Sequence, residues 1–398
     1  MNILIISSKF LYPPKDGGAL AIKNMCEQLS LRVNKIKFVA IETYKHPAKE
    51  RSNLKNVDFE TVYVNTKIRL LNLILNFIFS SLPYIAVRFF STDFKTLVIN
   101  ELKTNKYDLV ILEGLYVAYL TKDIRKVFRG KIVLRAHNVE HFIWERKLLQ
   151  EKNFLKKIYL TSMVKRLKKY EIERLKETDL ILTITKEDAK KMKNFGIKNE
   201  TYVVPFGIDL KKYKFKEIND LNLEFIGALD WMPNEEGLVW FLDNVWKEVV
   251  NKNNKIKFYV AGRNAPSHFI KKLSFMRQVI FLGEVEDAFE FISSHGIFVV
   301  PLLTGSGMRI KIVEAMALGR LVISSSIGIE GINAIPGKHF VLVDNEKDWV
   351  NTIIEISDNL QKAKEIALNG RRFIEENFSN EKIYSELFSK LKQILECN

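Results

Sequence analysis

Between residues 299 and 330 the chain reads V-V-P-L-L-T-G-S-G-M-R-I-K-I-V-E-A-M-A-L-G-R-L-V-I-S-S-S-I-G-I-E. Gly305 and Gly307 frame a loop that opens a helix, and a helix start offers backbone N–H groups and a positive dipole end to an anion. The N–H groups of Ser306, Gly307 and Met308 are the ones within that loop. Arg309 and Lys311 add two formal charges at the same end. Cations are locally unfavourable there, so the pattern asks for a negative ligand such as a phosphate. Glu314 falls on the helical wheel beside Ile310, Val313 and Ala317, toward the core, where a carboxylate needs partners that ligand hydroxyls would supply. The competing reading is a glycine kept for close packing and an ordinary solvated Lys311/Glu314 pair.

The elements that must hold these residues are a strand at 297–301, a helix of about three turns closed by Gly319, and a strand at 321–324, together a βαβ unit. The apolar run 2–7 has the look of a buried parallel strand. It leads through P-P-K-D-G-G to a helical pattern at 19–29, so Gly17 and Gly18 form a second place where backbone can approach a phosphate or sugar. This is not G-x-G-x-x-G, and a dinucleotide fingerprint is not supported. Strands at 36–41, 61–64, 109–112, 132–136 and 180–184 alternate with helical patterns, which predicts a parallel α/β sheet. The strand 132–136 ends in His137-Asn138-Val139-Glu140-His141, and ligands of such sheets gather at carboxyl ends of strands, so His137 is a candidate for chemistry. His137 and His141 lack a clear third ligand, which makes a metal site weak.

Residues 211–222 read as an interdomain linker, and a second α/β pattern follows. Its strands at 223–226, 257–261 and 279–282 run into Gly227, Gly262 and Gly283, a glycine-lined rim on which Arg263 is a third cation. The spacing predicts helices at 346–357, 360–377 and 380–395, the last packing back across the domain junction. The expected domains are 1–210, 211–375 and a C-terminal helix at 376–398 on the first.

A chain of 398 residues favours two domains. Sixty-two Lys+Arg against 47 Asp+Glu give a net charge of +15 at pH 7. Nucleic acid, an anionic membrane surface or a polyanionic substrate would suit that balance, as would a solvated basic face. Cys26 and Cys397, without a CxxC pair, exclude a disulfide framework or a zinc-thiolate site and fit a reducing cytoplasm. With a strand expected from Asn2, no leader is foreseen. The apolar window 68–85 is broken by Arg69, Asn72, Asn76 and Pro83, too much for a membrane span. Its amphipathic part, 68–79, is assigned to core packing, with a membrane-interface helix as the alternative. The basic tract from Lys156 to Lys169 is read as solvated charge or as a rest on anionic lipid.

Taken together, the P-P-x-x-G-G loop, the strand-end H-N-V-E, V-V-P-x-G-I-D, D-W-x-P-N, V-A-G-R-N and G-S-G-M-R-I-K-I-V-E-A-M-A-L-G-R resemble retaining glycosyltransferases of the GT-B fold, family 4, nearly end to end. The resemblance implies two Rossmann-like domains facing each other across a cleft, the first for the acceptor and the second for a nucleotide diphosphate sugar. It implies hexosyl transfer from that donor to a saccharide or lipid-linked acceptor, with retention and no required metal or other cofactor; the lack of a DxD motif agrees. The family signature is two glutamates separated by seven residues. Glu314 matches the second, which implies contact with the donor ribose, and Ser306 stands where the first would be. The family also has an Arg and a Lys after the first strand of the second domain. The loop 227–234 has neither, so Arg263, Arg309 and Lys311 are expected to neutralise the leaving diphosphate, and His137 to lie near the sugar or acceptor.

The leading expectation is therefore a cytoplasmic transferase, peripheral on the inner face of the membrane, in cell-surface polysaccharide or glycolipid synthesis. The expected site is His137, Arg309 and Lys311 for catalysis, with Gly17, Gly18, Gly227, Arg263, Ser306, Gly307, Met308 and Glu314 around the donor. Alternatives are a nucleotide-sugar 2-epimerase of the same fold and a non-catalytic sugar-nucleotide-binding protein. No helix-turn-helix, zinc or RNP pattern supports nucleic acid.

Overall fold

The computed structural model describes residues 1–14, 16–48, 54–305 and 307–396. Two compact units divide the chain: Met1–Gly207 with the segment from Asn380 onward, and Ile208–Ser379. The boundaries lie a few residues from those expected at 210 and 375. Residues 211–222, read as an interdomain linker, are grouped with the second unit; they are mostly exposed, with Tyr213 and Ile218 buried.

In the first unit, β1 (Asn2–Ser7), β2 (Lys35–Glu42), β3 (Val57–Tyr63), β4 (Leu109–Glu113), β5 (Lys131–Ala136), β6 (Leu180–Thr183) and β7 (Glu200–Val203) form one sheet in the order β3-β2-β1-β4-β5-β6-β7. Every pairing in it is parallel. Strands covered on both faces must be apolar throughout, and Ile3 to Ile6, Leu109 to Leu112 and Ile132 to Leu134 are fully buried. The C-terminal helix Asn380–Glu396 sends Ile383, Tyr384, Leu387 and Leu391 into the core beneath β1 and β2.

The second unit repeats the plan. β8 (Leu223–Ile226), β9 (Phe258–Ala261), β10 (Val279–Gly283), β11 (Ile297–Val300), β12 (Leu321–Ser324) and β13 (Val341–Leu342) lie in the order β10-β9-β8-β11-β12-β13, again parallel. Leu238, Phe241, Trp246, Phe258, Phe269, Trp349 and Ile353 fill its core.

Each sheet reverses its strand order once, between β1 and β4 in the first unit and between β8 and β11 in the second. The crevice at the carboxyl ends of such strands is where open α/β sheets bind ligands. The stretch 68–79, assigned to core packing from its apolar stripe, is the helix Leu70–Phe79 and has no buried residue. No described helix is long and apolar enough to cross a membrane.

Candidate active site

At the second reversal, β8 runs into Gly227 and β11 runs into the loop of Gly305 and Gly307. Both glycines adopt positive φ, +123° and +82°, a region side chains avoid. The helix that follows, Ile310–Ala317, has eight residues, about two turns rather than three. Gly319 at φ +79° closes it, and Arg309 is its N-cap residue, just outside the first turn. The Arg309 side chain does not cap this helix start, and none of the described first turn is acidic. The helix after β8, Met232–Phe241, also starts without a side-chain cap, on Trp231.

Arg309 folds back over the loop. Its Nη1 donates to the Gly307 carbonyl, and its guanidinium carbon lies 6.0 Å from the centre of the Trp231 ring. A Cβ at Gly305 would stand 2.6 Å from Arg309 Nη2. Lys311 turns the other way, donating from Nζ to the Ile226 carbonyl at the end of β8. A Cβ on Gly227 would approach Lys311 Nζ to 2.8 Å and Asn234 Nδ2 to 2.7 Å, so a side chain there would push the ends of both away from their present positions. The loop after β8 thus receives its cation from Lys311, across the sheet reversal, rather than from within.

Burial pushes the Lys311 ammonium down to about 8, against the pull of Glu314 and with help from Arg263 and Arg309. Burial likewise raises the Glu314 carboxyl, opposed by Tyr213 and then Lys311. Tyr213 donates from its hydroxyl to Glu314 Oε1 at 2.9 Å, so a protein group takes part of the role foreseen for ligand hydroxyls. Gly227, Arg263, Gly307, Met308, Arg309, Lys311 and Glu314 all belong to this unit, and Lys311 feels the charges of Arg263, Arg309 and Glu314. Ser306 lies outside the described residues.

The first unit holds Gly17, Gly18 and His137. The helix Gly17–Ser30 starts at Asp16, whose Oδ1 accepts from Ala19 N at 2.7 Å. Lys9 Nζ at 3.1 Å and His46 Nε2 at 2.8 Å hold the same carboxylate. Burial would raise it, but His46, Lys9 and the Ala19 N–H together keep it well below the usual carboxylate range. The anion at this helix end is the protein's own, so a phosphate beside Gly17 and Gly18 would meet a carboxylate.

His137 Nε2 lies 2.8 Å from Glu113 Oε2, and Arg135 Nη1 reaches Glu113 Oε1 at 3.3 Å and the Ala21 carbonyl at 3.0 Å. Glu113 and Arg135 are fully buried and face each other in register across β4 and β5. Burial would raise Glu113, but Arg135 and then His137 outweigh it and hold it ionised. Burial pushes the His137 imidazole down, with Glu113 opposing, which favours the neutral ring. A carboxylate only accepts, so Nε2 carries the proton and Nδ1 is left as the acceptor.

His141 does not join His137. Its Nδ1 lies 2.6 Å from Glu171 Oε2, and the backbone N–H groups of Glu140 and His141 donate to the two Glu171 oxygens. Burial, then the neighbouring Glu171 carboxylate, raises Glu140 to about 7 against the Tyr116 hydroxyl at 2.8 Å. Among the described residues there is no cluster of three or more potential metal ligands.

Sequence reasoning missed Glu113, Arg135, Lys9, His46, Glu171 and Tyr213. The signal available for Glu113 and Arg135 was a single opposite charge at or near the end of each apolar run.

Residues 221–359 match the family described as glycosyl transferases group 1. Over 402 aligned residues the chain is 29% identical to an uncharacterized 44.6 kDa protein in the cps region of Klebsiella pneumoniae, covering 98% of this chain and 99% of that one. It is 25% identical over 231 residues to the capsular polysaccharide biosynthesis glycosyltransferase CapM of Staphylococcus aureus, covering 56% and 60%. Sucrose-phosphate synthase from Thermosynechococcus elongatus superposes over all of both chains with a TM-score of 0.72 at 15% identity. Anabaena HepE in complex with UDP does so over 99% of this chain and 100% of that one, with a TM-score of 0.69 at 14% identity. The chain therefore has the GT-B fold, and its second unit carries the segment shared with glycosyl transferases group 1.

Proposed function

We propose that the protein moves a hexosyl group, with retention, from a nucleotide diphosphate sugar to a saccharide or lipid-linked acceptor in cell-surface polysaccharide or glycolipid synthesis. The observation that carries this reading is the β8/β11 reversal: a glycine rim, helix starts without side-chain caps, and Lys311, Arg309 and Arg263 within reach of one another's charge. The match to glycosyl transferases group 1 covers that region. CapM is named for capsular polysaccharide synthesis, and HepE was crystallised with UDP.

In this reading the bond between the anomeric carbon and the diphosphate oxygen breaks, and negative charge grows on the leaving diphosphate. Lys311, Arg309, Arg263 and the backbone N–H groups of the helix start meet that charge with groups already in position. Glu314, held beside Lys311 by Tyr213, takes the ribose hydroxyls. His137 offers Nδ1 to a sugar or acceptor hydroxyl, and Glu113 fixes its tautomer.

The test is a melting-temperature survey with nucleoside diphosphates and nucleotide sugars, followed by nucleotide release in the presence of a lipid extract. A melting rise with one donor and acceptor-dependent release are expected. Donor binding without turnover on any acceptor would favour a sugar-nucleotide-binding protein. No melting rise with any nucleotide would overturn the assignment.

A further inference from the structure

The helix Leu70–Phe79 (LLNLILNFIF) lies on the helix Phe154–Lys176 by a narrow, half-buried face. The Phe77 ring centre is 5.8 Å from that of Tyr159. Arg166 donates to the carbonyls of Asn76 and Phe77 at 3.0 and 2.8 Å, satisfying acceptors that a helix end leaves over. The opposite face carries Leu70, Leu71, Ile74, Leu75, Ile78 and Phe79 in two rows of four-residue spacing. All are exposed, Leu70 by 72% and Phe79 by 80%. Phe154, Leu155 and Ile158, at the start of the neighbouring helix, are exposed as well. So many large apolar side chains on a helix about 15 Å long mark a surface that has a partner.

Charge names the partner's chemistry. Residues 61–92 contain no Asp or Glu and three Lys+Arg; residues 152–170 contain none and seven. Lys152, Lys156, Lys157, Lys165, Lys168 and Lys169 are all exposed. A second copy of this chain, meeting it through the same face, would set these cations against themselves. A bilayer interface accepts a convex apolar helix to a depth of about 5–10 Å, and anionic headgroups answer the lysines. We propose that the Leu70–Phe79 helix and the basic face of the Phe154–Lys176 helix dock the first unit on the surface of an anionic phospholipid bilayer. This does not rest on the transferase reading.

The test is flotation of the full chain with phosphatidylglycerol/phosphatidylcholine vesicles against phosphatidylcholine alone. Binding to the anionic vesicles is expected, weakening with added salt. The double variant Ile74→Glu/Ile78→Glu should lose flotation at an unchanged melting temperature, since both side chains are exposed. Each of Lys156→Gln and Lys157→Gln should lower vesicle affinity about fivefold. Three results would each overturn the proposal: no flotation with anionic vesicles at low salt, undiminished flotation of the double variant, or a lipid-free dimer that the double variant dissolves. The last would make the face a contact between copies.

Discussion

The strand-end helix starts of the two units solve the same electrostatic problem in opposite ways. In the first unit, Asp16 caps the helix after β1, and Glu171 takes the N–H groups at the start of Glu140–Gln150. Each end is closed by a carboxylate from the chain itself. In the second unit, the helices after β8 and β11 start on Trp231 and Arg309 without a side-chain cap, and Lys311 stands in the first turn. Closing a helix end with a carboxylate stabilises the fold, whereas crowding it with desolvated cations does so only when an anion arrives. The first arrangement serves architecture, and the second serves a ligand.

The largest effect that would break this contrast is on turnover. Arg309→Ala and Lys311→Ala should each slow transfer by about 10² to 10³, the usual cost of losing a preorganised group at a developing charge. Nucleotide release from the preferred donor measures it, and full activity of the double variant would remove the leaving-group role. The first unit should answer with stability as well, because the carboxylate that sets the His137 tautomer also pairs a buried guanidinium. Glu113→Ala leaves Arg135 buried without its carboxylate and should cost about 3 kcal/mol in denaturant unfolding.

Much of the fold was legible because buried parallel strands read as unbroken apolar runs, as at Ile3 to Ile6 and Leu321 to Ile323. Edge strands lack that signature. β3, V-D-F-E-T-V-Y, alternates polar and apolar residues, and only its last part was anticipated. The Leu70–Phe79 helix failed for a different reason: periodicity shows that a helix has an apolar face, but not whether another element covers it. At the site, the glycine loop, Lys311 and Glu314 were visible from type and spacing within one βαβ unit. The Glu113/Arg135/His137 chain and the Tyr213 hydroxyl were not, because their partners lie 22 and 24 residues apart in one case and 101 in the other, and only sheet order brings them together.

pH sharpens the contrast further. The Lys311 ammonium titrates near 8 in the ligand-free protein, and a bound diphosphate favours its charged form. Binding therefore takes up a proton above that value. Nucleoside diphosphate affinity should be level below about pH 8 and fall by up to about tenfold per pH unit above it. Calorimetric titrations across that range would show the break, and Lys311→Arg, whose guanidinium stays charged, should flatten it.

The smallest effect belongs to the self-capped end. Asp16→Ala removes an N-cap and should lower stability by about 1 kcal/mol in denaturant unfolding at neutral pH. Because the folded protein holds this carboxyl below its ordinary range, the contribution is present above the unfolded value and is lost as pH falls through the acid range. The difference between wild type and variant should therefore shrink on acidification. Nucleoside diphosphate affinity should stay where it was, since the anion removed was the chain's own. If Asp16→Ala instead tightened or weakened nucleotide binding as strongly as Lys311→Ala, the helix start at Gly17 and Gly18 would have to be counted as a phosphate site like the one at Gly305.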